Sequence, residues 1–287
     1  MPGTAADEVL EDLRREGEEL DALVAPLAEE AGGRWTAATP APGWTVAHQI
    51  AHLAWTDERS LLAARDPEAF RREAEAAFAD PAAVDTYVDD GARRGAALPP
   101  GALLALWRAG RRKLADALEE LAGHQGKHRI PWYGPPMSPA GMATARLMET
   151  WAHGEDIAGA LGVRREPTAR LRHVARLGVR TRDFAHLVNG LEPPAEPFRV
   201  ELTPPPGAGG GPGGLWTYGP ADAPQRVGGP ALDFCLLVTR RVHRDDTALR
   251  ATGAGAEGWL SIAQAFAGPP GAGRARGTRS HADGGTR

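Results

Sequence analysis

Glu149 and His153 stand four positions apart, so on a helix both side chains project from one face and reach a common ion. His52, from a distant segment, supplies a third donor if two helix faces meet across an interior. Two histidines and one carboxylate leave a coordination position for water or substrate, which separates catalytic zinc sites from closed structural ones. The same donors accept nickel, iron or manganese. By spacing alone, a Glu and a His four apart belong more often to a solvated helix surface. Spacing also does not choose between His48 and His52.

The surroundings of these residues point two ways. Met142, Ala145, Ala152 and Ala160 share the face of Glu149 and His153, which reads as interior. His52 shares its face with Thr45, Gln49 and Arg59, which reads as wet. Arg146 precedes Glu149 by three positions and is the candidate catalytic contact to an anionic substrate, with a plain ion pair as its ordinary alternative. Asp156 lies near the ligand face, either as an outer carboxylate or as a helix charge, whereas Glu155 reads as a helix charge. Trp55 and Trp151 are near enough in sequence to line a pocket. Other chemistries lack support: there is no G-x-S-x-G elbow, phosphate-binding loop or dinucleotide fingerprint. Cys235 falls in the apolar run LDFCLLV and reads as a buried, inert thiol.

Helices must position these residues. Apolar residues recur at helical spacing over 7–30. After the break TPAPGWT, Thr45 caps a second helix, VAHQIAHLAWTDERSLLAA, which carries His48 and His52. An irregular acidic stretch is expected after Asp66-Pro67, and a third helix, ALLALWRAGRRKLADALEELA, follows Pro99-Pro100-Gly101. Residues 124–137 form a loop packing through Trp132 and Tyr133, and Ser138-Pro139 opens a fourth helix running to about Gly162. Four helices predict a bundle. A helix over 168–188 then begins a second unit, in which FRVEL and LWTYG read as strands around a long Pro/Gly loop. Gln225–Gly229 adds a short strand before the helix ALDFCLLVTRRV, and a last helix covers 256–266. The expected division is a bundle at 7–165, an α+β domain at 166–267 and a disordered tail at 268–287.

Composition bounds the function. With 287 residues and 24% charged side chains, the chain is that of a globular protein. A net charge of -4 lacks the concentrated positive field that a phosphate backbone requires, so nucleic acid is not an expected partner. One cysteine allows no intrachain disulfide and no paired-cysteine zinc site. No stretch reaches membrane-spanning length and the start has no secretory pattern, so the expected compartment is the cytoplasm. Oligomeric state stays open, a homodimer included.

The runs APGWTVAHQIAHLAWTDE at 41–58 and RLMETWAHGEDIAGALG at 146–162 resemble the DinB-like superfamily, especially its mycothiol-dependent maleylpyruvate isomerase group. The resemblance implies that His52, Glu149 and His153 hold zinc or a similar divalent ion on a four-helix bundle, where a small thiol such as mycothiol becomes a thiolate. It extends through FRVELTPP and LWTYGPADAPQRVGGPALDFCLLVTRRVHRDDTALRATG, which resemble the family's C-terminal α+β domain of sterol-carrier type. An arginine of that domain assists the substrate in the isomerases, a place that Arg240 or Arg241 would take here. PWYGPPMS at 131–138 resembles a metal-binding subgroup with no assigned reaction. The expected function is a metal- and thiol-dependent S-transferase or isomerase acting on a small molecule; the rival is a non-catalytic metal-dependent sensor or small-ligand carrier.

Overall fold

The structure is a computed structural model and describes residues 5–29, 33–79, 86–123, 128–268, 271 and 273–278. The chain divides into two units, Met1–Val163 and Arg164–Arg287.

The first unit contains α1 (Ala5–Val24), α2 (Val46–Arg65), α3 (Pro67–Phe78), α4 (Tyr87–Ala96), α5 (Pro100–Gly123) and α6 (Pro139–Leu161). Helices α1, α2, α5 and α6 pack as a bundle, with α3 and α4 laid against α2. Its core joins Leu20, Val24, Trp35, Ile50, Leu53, Leu103, Trp107 and Ile157, all nearly or completely removed from water. Burial of such large apolar side chains supplies the main driving force, about 1.5–3 kcal/mol each.

Local chemistry sets the helix ends. Helix α1 gives way to a 3-10 turn over Ala25–Ala28, because Pro26 has no N–H to donate, so it stops short of the expected residue 30. On α6, Ser138 Oγ accepts from Gly141 N at 3.1 Å, Pro139 occupies the first turn, and Gly162 closes the helix at φ 66°. The stretch after Asp66, expected to be irregular, is instead helical. Asp66 Oδ1 accepts from Ala69 N at 2.9 Å, Pro67 is tolerated at the helix start, and Phe70 buries its ring against Trp132 and Tyr133. The isolated bridge Ile130↔Met137 closes the loop that carries those two aromatics.

The second unit contains α7 (Leu171–Arg180), α8 (Arg182–Val188), β1 (Phe198–Thr203), β2 (Trp216–Tyr218), β3 (Gln225–Pro230), α9 (Ala231–Val238), β4 (Arg250–Thr252) and α10 (Ala254–Ile262). The sheet order is β2-β1-β3-β4; β1 runs parallel to β3, while β2 and β4 are antiparallel to their neighbours. The expected single helix over 168–188 breaks at Thr181, whose hydroxyl donates to Leu177 O and Gly178 O, both at 3.1 Å. The short β4 had no signal in the sequence, since three residues are too few to show alternation. The chain is therefore mixed α and β, a helical bundle followed by an α+β unit.

Part of the segment expected to be a disordered tail is bonded. Gly277 N donates to Asp246 Oδ2 at 2.7 Å, and Arg276 lies 3.6 Å from Asp245. Residues 269–270, 272 and 279–287 lie outside the described residues.

Candidate metal centre

The metal-ligand candidates sit on two helices that run past one another in opposite directions, so that Gln49 meets His153 while Asp57 meets Arg146. Between these two contacts, His52 faces Glu149. His52 Nε2 lies 3.5 Å from Glu149 Oε2 and His153 Nε2 lies 3.1 Å from the same oxygen. Donor atoms of all three residues fall within 4.8 Å of one another, the one such histidine and carboxylate cluster among the described residues. The histidines are more than nine-tenths buried, and the Glu149 side chain is the most open of the three at 22% exposure. Burial acts to raise the Glu149 carboxyl, but hydrogen bonds from His153 and His52 and their charge outweigh it and hold the group well below the usual carboxylate range.

The donor set fits a divalent cation. Two ligand atoms each about 2.1 Å from a tetrahedral ion stand about 3.4 Å apart, close to the two nitrogen-to-oxygen separations. His153 also has an acceptor at each ring nitrogen, Gln49 Oε1 at Nδ1 and Glu149 Oε2 at Nε2. A neutral imidazole carries one N–H, so a further proton or a cation is required between Nε2 and the carboxylate. A bound cation meets that requirement without protonating the ring.

The approach to α2 closes one side of the site. Thr39 donates to Trp44 O through both its backbone N, at 2.8 Å, and its hydroxyl, at 2.9 Å. Held in this way, the Trp44 ring stacks on His153 with centroids 6.0 Å apart and lies 5.3 Å from the His52 ring. Trp44 and Gln49 are the site residues that sequence reasoning missed. Gln49 is completely buried, so the face of α2 that read as wet is interior. The available signal was the three-residue step from Gln49 to His52, which puts both on one face.

Two alternatives left open by spacing are separated here. The His48 ring nitrogen Nδ1 lies 2.8 Å from Thr45 Oγ1 and 3.4 Å from Thr45 N, so His48 caps the start of α2 and is absent from the ligand cluster. Burial and the nearby Arg93 hold the ring below its ordinary range, against the opposing pull of Asp89. Arg146 is 2% exposed, and its Nε donates to Asp57 Oδ1 at 3.0 Å. It is a buried ion pair between α6 and α2 and has no open face toward a diffusible anion. Burial raises the Asp57 carboxyl, opposed by Arg146, Arg111 and His52.

Asp156 and Trp151 are buried on α6, while Trp55 meets the Tyr87 ring edge-on at 5.1 Å. In the second unit, Arg240 adopts φ 59° and donates to Gly271 O at 3.2 Å, and Arg241 donates to Thr239 O at 2.6 Å. Cys235 is buried, and burial pushes its thiol well above the ordinary range.

Bundle and cluster together define a helical scaffold that gathers two histidines and one carboxylate, with Glu149 at the more open edge. The family described as mycothiol maleylpyruvate isomerase N-terminal domain matches residues 13–158, a span holding His52, Glu149 and His153, and the chain belongs to that family. A second family, described as wyosine base formation, matches residues 194–252. The chain is 54% identical over 263 residues to the uncharacterized proteins MT0041 and Rv0036c of Mycobacterium tuberculosis, strains CDC 1551 / Oshkosh and H37Rv, covering 92% of this chain and 96% of each relative. Crystal structures of the mycothiol-dependent maleylpyruvate isomerase and of its histidine-to-alanine mutant align with a TM-score of 0.54. They are 17% and 16% identical, with 86% of this chain and 92% of theirs covered, and so share the fold.

Proposed function

We propose that this protein is a cytoplasmic enzyme that uses a divalent metal, zinc in the first instance, to activate a small thiol of the mycothiol class for S-transfer to, or isomerisation of, a small-molecule substrate. The observation that carries this reading is the convergence of His52 Nε2 and His153 Nε2 on Glu149 Oε2, at 3.5 and 3.1 Å, within a chain of the mycothiol maleylpyruvate isomerase family. His52, Glu149 and His153 would hold the ion, and three protein ligands leave room for an exchangeable one. When bound, such an ion lowers the pKa of a thiol or water and supplies a nucleophile near neutral pH.

The chain's own side chains do the rest. Trp44 walls the two imidazoles from water on one side, and the more open Glu149 edge is the side from which a thiol and substrate enter. Arg146 acts through position: tied to Asp57, it holds α6 in register against α2 about one turn from Glu149.

Elemental analysis of the purified protein, beside titration of a cobalt-substituted sample with a small thiol, tests the proposal. Stoichiometric metal and a thiolate-to-cobalt charge-transfer band are expected. Metal without a thiol response would favour a sensor or structural role, and no metal would sink the reading. His153→Ala should lose stoichiometric metal while remaining folded by circular dichroism; a variant that keeps its metal counts against the ligand set.

A further inference from the structure

Gln49 is completely buried and bridges two groups with opposite needs. Its Oε1 meets His153 Nδ1, and its Nε2 lies 2.9 Å from Thr39 Oγ1. The Thr39 hydroxyl lies 2.9 Å from Trp44 O, which can only accept. The hydroxyl proton is therefore directed to Trp44, leaving the Thr39 oxygen to accept from Gln49. That orients the amide: its NH2 faces Thr39, and its oxygen faces His153. An amide oxygen can only accept, so Nδ1 of His153 carries the proton and the Nε2 lone pair faces Glu149 and His52.

From this chain we propose that Gln49 is a positioning residue of the metal centre: through Thr39 and Trp44 it selects the tautomer and ring orientation of His153 that present Nε2 to the cation. The inference rests on the reading of His52, Glu149 and His153 as metal ligands. It adds a residue from α2 that touches no metal and no substrate. The segment preceding α2 thereby communicates with a ligand on α6, since the orientation of the amide is set at Thr39. An amide also satisfies Nδ1 without adding a second formal negative charge beside Glu149, which a carboxylate in its place would do.

The test uses the full chain, with zinc affinity from competition against a chelating indicator and the His153 tautomer from nitrogen-15 imidazole correlations in the zinc-saturated protein. Gln49→Leu, which keeps the volume and removes the acceptor, should bind zinc about 10–100-fold more weakly, the usual effect of losing an outer partner of a ligating histidine. It should also lose the Nδ1–H signature. Gln49→Glu restores an acceptor at Nδ1 and should bind zinc clearly more tightly than Gln49→Leu. Thr39→Val, at a half-buried position outside the core, should shift the tautomer balance in the same direction as Gln49→Leu and provides the readout if that variant does not fold.

Equal weakening in the Leu and Glu variants would mean that packing alone matters and would overturn the inference. So would an unchanged tautomer with wild-type zinc affinity in Gln49→Leu and Thr39→Val, an outcome that leaves the ligand assignment standing. A wild-type protein that binds no zinc, cobalt, nickel, iron or manganese removes the ligand reading itself, and the inference falls with it.

Discussion

Both imidazoles address one oxygen of Glu149, and the Arg146–Asp57 pair lies nearby on the same two helices, buried to within a few per cent. These neighbouring contacts differ in kind. The first gathers nitrogen and oxygen donors suited to a cation, whereas the second is already neutralised in place. A buried pair contributes little beyond an apolar pair of equal size, but removing one partner strands a charge. Arg146→Met should therefore lose about 3–5 kcal/mol in urea unfolding, and Asp57→Leu combined with Arg146→Met should recover most of that loss. If the double variant is stable, binds metal and yet is inactive, Arg146 has a chemical role beyond holding the helices. The arginine was visible in the sequence as a residue three positions before Glu149. Its partner was not, because Asp57 lies on another helix and only their packing brings the two charges together.

At the scale of elements, α4 approaches α2 closely because it carries glycines where the helices meet. A Cβ built on Gly91 would stand 2.8 Å from the Trp55 ring, and one on Gly95 would stand 2.8 Å from Ala51 Cβ. Alanine would ordinarily favour a helix interior by about 1 kcal/mol over glycine. Here the steric conflict should win, so Gly91→Ala is expected to destabilise the bundle by about 1–3 kcal/mol in thermal or chemical unfolding. Helix α1 is tied to α5 differently. Asp21 receives Arg108 Nε at 2.9 and 2.8 Å on its two oxygens, Arg108 Nη2 at 2.6 Å and Arg111 Nη2 at 2.9 Å. Burial acts to raise the Asp21 carboxyl, but the two guanidinium groups hold it below its ordinary value of 3.8. A depressed carboxyl stabilises the fold above its unfolded pKa and loses that contribution as pH falls through the folded one. Asp21→Asn should thus cost about 1.5–3 kcal/mol near neutral pH, and its deficit relative to wild type should shrink as pH drops below 3.8.

For the whole molecule, the histidine and carboxylate cluster belongs entirely to the first unit, since His52, Glu149 and His153 all precede Val163. A ligand that binds only the folded state stabilises by about 2.7 kcal/mol at a free concentration one hundred times its dissociation constant. Hydrogen exchange of zinc-loaded and chelator-treated protein should accordingly show added protection concentrated in α2 and α6, with little change in β1 to β4. Equal protection across both units would indicate that metal binding is coupled to the folding of the entire chain. The second unit, with its parallel β1–β3 pair and strand-to-helix step at Pro230, offers no comparable cluster of donors among the described residues.

Elements whose signals are local were legible in the residues themselves. Ser138-Pro139 and Gly162 bounded α6, the step from Glu149 to His153 put two donors on one face, and the motifs around them resembled a metal-binding family. Alternation in Phe198–Thr203 marked β1 for the same reason: a strand's side-chain period is written in consecutive residues. Tertiary structure decided what depends on distant partners. Helix α3 was hidden because its stretch read only as acidic, while Phe70 finds its partners 62 and 63 positions later, at Trp132 and Tyr133. Gln49 looked solvent-facing until α6 covered it, and His48 was separable from His52 only once one ring had turned back to Thr45 and the other toward Glu149. Spacing fixes which side chains share a helix face, but burial and pairing are properties of the surface that the face meets, and that surface is assembled only when the helices pack.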